Sequence, residues 1–189
     1  MRIKWFSLIR ITGLLLVLLY HFFQTIFPGG FFGVDVFFTF SGFLITSLLL
    51  EEFGKARQID LLGFFKRRFY RIVPPVVLMI LVTMPFTFLV RQDYVAGIGG
   101  QIAGVLGFMT NFYEMLTGGS YESQFIPHLF VHNWSLAVEV HYYILWGLAV
   151  WFLSKRSKSS SQLRGMVFLL SAGAFIISFF SMFIGSLMA

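Results

Sequence analysis

Cysteine is missing from this chain. The absence excludes a disulfide framework, a thiolate zinc site and a cysteine nucleophile together. Charge is the second scarcity. Only 12% of the 189 residues are Asp, Glu, Lys or Arg, against roughly a quarter in a water-soluble domain. Hydrophobic residues make up 58% and phenylalanine alone occurs 26 times. The solvent of the folded chain is therefore lipid. A net charge of +6 could draw a nucleic acid, but the basic residues stand in short clusters beside apolar runs, which is the pattern of membrane topology. No nucleic-acid partner is expected.

Apolar runs at about 5–24, 31–50, 72–90, 134–153 and 166–188 each approach the ~20 residues that cross a bilayer as a helix. The first follows "MRIK", which resembles the start of a signal peptide, but the run is long and no A-x-A-like site closes it. It reads as a retained helix. A Gly-rich segment at about 96–113, "GIGGQIAGVLGF" within it, is also apolar. Pro74 and Pro75 fall in the first turn of the third run, where proline is tolerated.

Twelve of the 14 basic residues lie in three segments: Arg2 and Lys4; Lys55, Arg57, Lys66, Arg67, Arg68 and Arg71; and Lys155, Arg156, Lys158 and Arg164. The positive-inside rule puts all three, and with them the N-terminus, in the cytoplasm. An even number of crossings must then separate the third run from the fourth. The 96–113 segment is one crossing too many, so it is expected to be a re-entrant or interfacial segment buried by other helices. The region 114–133, without Lys or Arg, falls outside. "KRSKSSSQLR" reads as a polar cytoplasmic link. The expected fold is an all-α, polytopic membrane bundle of about five spans.

Polar residues inside such a fold are costly. Arg at the centre of a membrane helix costs about 2.5–3.5 kcal/mol on insertion scales. Arg10 lies eleven residues before His21, and eleven steps of 100° return to within about 20° of the starting direction, about 16 Å along the axis. The two share a helix face. Either they line a route through the membrane, or Arg10 snorkels to one interface while His21 sits at the other. Asp35 is level with His21 and could orient its imidazole or pair with Arg10. In "HNWSLAVEVHYYILWG", Ser135, Tyr142 and Tyr143 share a face with Glu139; Trp134 suits an interfacial belt, as the tyrosines do. Arg68 and Arg71, one helical turn apart in "FFKRRFYRIVPP" beside Arg67, make a fork that suits phosphate or an anionic lipid surface. His128 and His132 have metal-ligand spacing, but no third ligand is evident nearby, so no metal is expected.

These pieces together resemble the membrane-bound acyltransferase family 3. The resemblance rests on Arg-x10-His at Arg10 and His21, "GGFFGVDVFFTFSGFLIT", "KRRFYRIVPP" and "NWSLAVEVHYY", in the family's order over residues 1 to about 150. It implies transfer of an acyl group, usually acetyl, from cytoplasmic acyl-CoA to a hydroxyl of an extracytoplasmic cell-surface glycan. The likeness is greatest to peptidoglycan O-acetyltransferases. Carried over by position, His21 is the base or transient acyl acceptor and Arg10 is essential beside it. Arg67, Arg68 and Arg71 meet the CoA phosphates. Asp35, Glu139, Ser41, Trp134, Ser135 and Tyr142 fall on motif positions. Acyl-CoA is the donor substrate, with no bound cofactor.

Two departures stand out. The family has Asp three positions before the arginine, as in "DGLR", where this chain has Ser7 in "FSLIR". Family membrane domains also have roughly ten helices. The 189 residues are therefore expected to be the N-terminal part of one acyltransferase domain, without the extracellular esterase-like domain that some relatives carry. A separate C-terminal half or esterase-like partner would complete it, and an isolated fragment need not be active. The competing reading is a transporter or non-catalytic scaffold in which Arg10, Asp35 and Glu139 form a relay. The topology is testable with cysteine probes, since the chain has none of its own. A cysteine at Ser120 is expected to react with an impermeant maleimide from outside intact cells; labelling only after the cytoplasm is opened would overturn the parity argument.

Overall fold

A computed structural model describes residues 4–89, 95–117 and 128–188, apart from the side chains of residues 4–7, 10, 88, 187 and 188. Arg91, Ser120 and the stretch 118–127 thus lie outside the described residues, and so do the side chains of Ser7 and Arg10. The elements are α1 (Lys4–Phe22), α2 (Phe32–Ala56), α3 (Leu61–Thr83), α4 (Ile98–Leu106), α5 (Thr110–Thr117), α6 (Trp134–Arg156) and α7 (Ser160–Met188), with short 3-10 turns at Pro28–Phe31, Met84–Leu89 and Val131–Asn133. Among the described residues, the stretches Pro28–Ala56, Leu61–Thr87, Val131–Arg156 and Ser160–Ser186 are long and apolar enough to cross a membrane. The apolar part of α1, Ile11–Phe22, is shorter. The protein is an all-α, multi-pass membrane protein.

Two helices start earlier than hydropathy suggests. α3 begins at Leu61, so the basic stretch "KRRFYR" is helical and Pro74 and Pro75 lie inside the helix rather than in its first turn. Each proline lacks an N–H, so the helix gives the carbonyls of Tyr70 and Arg71 no i+4 donor. α7 likewise takes in half of the expected polar link. Its start is fixed by side chains: Ser159 Oγ accepts from the Gln162 N–H at 3.1 Å, and Gln162 Oε1 accepts from the Lys158 N–H at 2.8 Å, a reciprocal capping pattern.

The 96–113 segment forms two short helices. α4 has nine residues, about 13.5 Å of rise, which is far less than the ~30 Å hydrocarbon core. The chain turns at Phe108, whose φ is +53°. Such a left-handed residue costs on the order of 1 kcal/mol or more. Packing offsets it, since Phe108 joins Val76, Ile80, Val105 and Phe130 in one apolar cluster. Two polar side chains of the hairpin find partners inside the protein, while Thr110 Oγ1 and Asn111 Oδ1 are buried without one. The fully buried Gln101 donates to the Ala96 carbonyl at 2.7 Å and accepts from the Phe130 N–H at 3.3 Å. The buried Glu114 carboxylate lies 2.9 Å from His128 Nδ1.

The chain divides into two compact units. In the first, residues 1–43 and 62–145, pairings set the helix directions. α1 runs against α2, with Gly13 beside Gly33 and Val36 and with Leu16 and Tyr20 beside Gly30. α3 runs against α6, because Arg68 lies over the Tyr143 ring while the later Met79 meets Asn133. α2 and α6 are parallel: Phe38 meets Trp134, Ser41 meets Glu139 and Gly42 meets Tyr142. Parallel α2 and α6 with α3 returning between them leave no room for a single crossing at 96–113, which agrees with the helical hairpin there.

In the second unit, residues 44–61 and 146–189, Ile45, Leu49, Val150 and Leu163 are fully buried. Trp146 Nε1 donates to Thr46 Oγ1 at 2.8 Å. The later part of α7 presents Phe175, Ile177, Met182 and Ile184 outward, a surface suited to lipid.

At Gly33 the helices α1 and α2 are so close that a Cβ would overlap the Gly13 carbonyl oxygen and crowd Val17. Gly33→Ala is therefore expected to destabilise the purified protein by roughly 1–3 kcal/mol, the usual cost of overpacking, read as a lower thermal midpoint in detergent. An unchanged midpoint would show that α1 and α2 separate at little cost.

Candidate active site

Glu139 is the centre of the first unit's polar interior. It lies on the second turn of α6 and is 6% exposed. A carboxyl group at that depth needs donors, and two neighbours provide them. Ser41 Oγ, from α2, donates to Oε1 at 2.6 Å. The Tyr143 hydroxyl, one turn along α6, donates to the same oxygen. Ser41 fits because Gly42 beside it lets Tyr142 approach, the phenol oxygen standing 3.2 Å from where a Cβ would be.

Beside this cluster is a cavity of about 200 Å³, lined by Arg68 and Arg71 of α3, by Glu139 and Tyr143, and by apolar residues including Phe37 and Leu136. The Arg68 guanidinium sits 5.6 Å from the Phe64 ring centroid and 5.7 Å from that of Tyr143. Stacking of this kind suits a weakly hydrated planar cation. Two guanidiniums one turn apart on one wall give a site for an anion of phosphate or carboxylate type. Arg67, the third member of the expected set, is exposed and does not line the cavity.

His21 lies in the last turn of α1 and is exposed. Its Nδ1–H donates to the Val17 carbonyl at 2.8 Å, which makes Nε2 the basic nitrogen of the neutral ring. The ring stands edge-on to His132 at 4.9 Å and to Tyr20 at 5.5 Å. α1 includes position 10 as well. Asp35, in the first turn of α2, lines a second cavity with Trp134. His21 lines neither cavity. Trp134 precedes Glu139 by five residues on α6, about 7.5 Å of rise, so the histidine end and the arginine cavity follow one another along the same helix. Ser135 Oγ donates to the His132 carbonyl at 3.3 Å.

Two of these groups have a place that residue spacing alone does not give. His132 was paired with His128 for its i, i+4 spacing, yet His128 is bonded to Glu114 and His132 faces His21. The signal was positional, since His132 precedes the fourth apolar run and so shares a membrane level with His21. Tyr143 shares a face with Glu139 by spacing, but only Tyr142 was placed among the motif positions. It is Tyr143 that bonds the carboxylate.

The described helices thus place an arginine-lined cavity beside a buried acid, with a histidine at the end of the first helix. The chain belongs to the acyltransferase domain family, whose pattern matches residues 3–188. It is similar to O-acetyltransferase OatA of Staphylococcus aureus strain NCTC 8325 / PS 47, with 33% identity over 174 residues covering 91% of this chain and 29% of OatA. The OatA of strain COL matches to the same extent. The chain thus spans about three tenths of the length of these relatives. No solved structure matches it.

Removing a donor from Glu139 leaves a buried acceptor underused, which costs about 1–3 kcal/mol. Tyr143→Phe and Ser41→Ala are each expected to lose stability in that range, measured as thermal midpoints of the detergent-solubilised protein. Wild-type midpoints in both variants would mean that the carboxyl group does not depend on them.

Proposed function

We propose that this chain holds the donor site and the base of an O-acetyltransferase that modifies a cell-surface glycan, peptidoglycan being the leading acceptor. Acetyl-CoA enters from the cytoplasm. The excess of Lys and Arg at the N-terminus, between α2 and α3, and between α6 and α7 supports that orientation, with the N-terminus inside. The single observation that carries the reading is the shared cavity of Arg68, Arg71, Glu139 and Tyr143, a cationic recess at the third helix of an acyltransferase-family chain. The guanidiniums hold the phosphates of CoA, and Glu139, fixed by Ser41 and Tyr143, stands across the recess from them.

At the other end of the site, Nε2 of His21 accepts the proton of an acceptor hydroxyl as its oxygen attacks the thioester carbonyl. The C–S bond breaks and the CoA sulfur takes up a proton as it leaves. An alternative order, in which Nε2 first takes the acetyl group and then passes it to the hydroxyl, uses the same atoms. Arg10 shares the face of His21 by helical register and lies on the route between donor and acceptor. OatA extends well beyond the matched stretch, so a further segment or a separate esterase-like partner completes the reaction.

Acetyl-CoA binding to the purified protein tests the donor site. Arg68→Ala with Arg71→Ala is expected to weaken binding about tenfold or more, since each charge-assisted contact is worth about 1.5–3 kcal/mol and 1.4 kcal/mol is tenfold. His21→Ala is expected to bind acetyl-CoA normally, to insert normally and to lose glycan acetylation. No binding by the unaltered protein would favour the transporter or scaffold; retained acetylation in His21→Ala would remove the base.

A further inference from the structure

A second cavity, of about 370 Å³, opens among the end of α1, the turn that follows it and the first turns of α2 and α6. It is about twice as roomy as the arginine cavity and within the ~300–1,000 Å³ of small-ligand pockets. Its walls differ in kind. Four are aromatic, Tyr20, Phe31, Phe38 and Trp134, and its polar groups include Asp35 and Gln24. Among the described residues, no arginine or lysine lines it.

We infer that this cavity is a sugar subsite that seats one pyranose ring of the acceptor glycan beside His21. The inference deepens, and rests on, the acetyltransferase reading. A pyranose is amphipathic: its C–H faces are apolar and its rim carries hydroxyls. Aromatic rings meet the first, while a carboxylate and an amide meet the second. The rings are set at angles around the space, Tyr20 against Phe31 at 70° and Phe38 against Trp134 at 67°. They therefore offer faces and edges rather than one closed stack. Gln24 Nε2 donates to the Tyr20 oxygen at 3.2 Å, so the phenol proton is directed to another acceptor. Asp35 is exposed, and a carboxylate in a membrane helix retains its charge only with hydration or donors. Sugar hydroxyls are such donors.

Two other occupants fit less well. The CoA phosphates would meet Asp35 as a like charge and have two guanidiniums in the neighbouring cavity. A lipid acyl chain would match the rings but leave Asp35 and Gln24 against hydrocarbon. Position agrees with a sugar. Tyr20 lines the cavity and touches His21 edge-on at 5.5 Å, and Trp134 follows His132, which faces His21 at 4.9 Å. A hydroxyl on a ring seated there lies next to the base.

The test uses the purified full chain in a sugar-free polyoxyethylene detergent, with chitotetraose as probe. Saturation-transfer NMR is expected to show chitotetraose bound to the unaltered protein and at least fivefold weaker binding in Trp134→Ala and in Gln24→Ala. Gln24 is exposed, so its variant remains informative if the tryptophan variant does not fold. With acetyl-CoA added, chitotetraose binding should stay weakened in both variants while acetyl-CoA binds them as it binds the unaltered protein. Unweakened binding in both variants overturns the subsite, as does displacement of chitotetraose by choline or by a soluble fatty acid. Failure of the unaltered protein to bind acetyl-CoA overturns the acetyltransferase reading instead, and the chitotetraose arm, which needs no donor, still decides the cavity.

Discussion

A carboxyl group buried among membrane helices must find hydrogen-bond donors inside the protein, because lipid has none to offer. Glu139 meets that requirement with one donor from its own helix and one from α2. The pair it joins is parallel, and much of the first unit's arrangement follows from that. The cavity that Arg68 and Arg71 enter has the carboxyl cluster as part of its wall, and α3 is held in register by Arg68 lying over Tyr143. One acid thus specifies neighbours on two other helices. Replacing it by an apolar residue of similar size would relieve the desolvation and forfeit the alignment.

The prolines of α3 add to the same recess. Pro74 and Pro75 leave the carbonyls of Tyr70 and Arg71 without helical donors, and Arg71 and Pro75 both line the cavity. Val76 borders the same recess and, with Ile80, packs against Val105 of α4 and against Phe108.

Much of this was legible in the residues. Composition and long apolar runs gave the helices, the clustering of Lys and Arg gave a parity rule, and the rule excluded a lone span at 96–113, where two short helices stand. The start of α3 was misjudged because a hydropathy window counts Lys66, Arg67, Arg68 and Arg71 as the end of a membrane segment. The helix continues through them, since the stem and plane of Arg68 pack on Phe64 and Tyr143. The contact of His21 with His132 could not be read from spacing, because 111 residues separate them and only the pairing of α1 with the entry of α6 brings them together. The aromatic lining of the second cavity was hidden for a related reason. In a chain with 26 phenylalanines, four rings around one space do not differ from the background until the helices are in place.

Ser41 and Glu139 are 98 residues apart, and that distance has a meaning in time. A ribosome adding about 5–20 residues per second finishes α2 roughly 5–20 s before the acid that its serine serves has emerged. The parallel pair is therefore closed late, by a helix arriving beside one already in place, and the recess between them does not exist until it does.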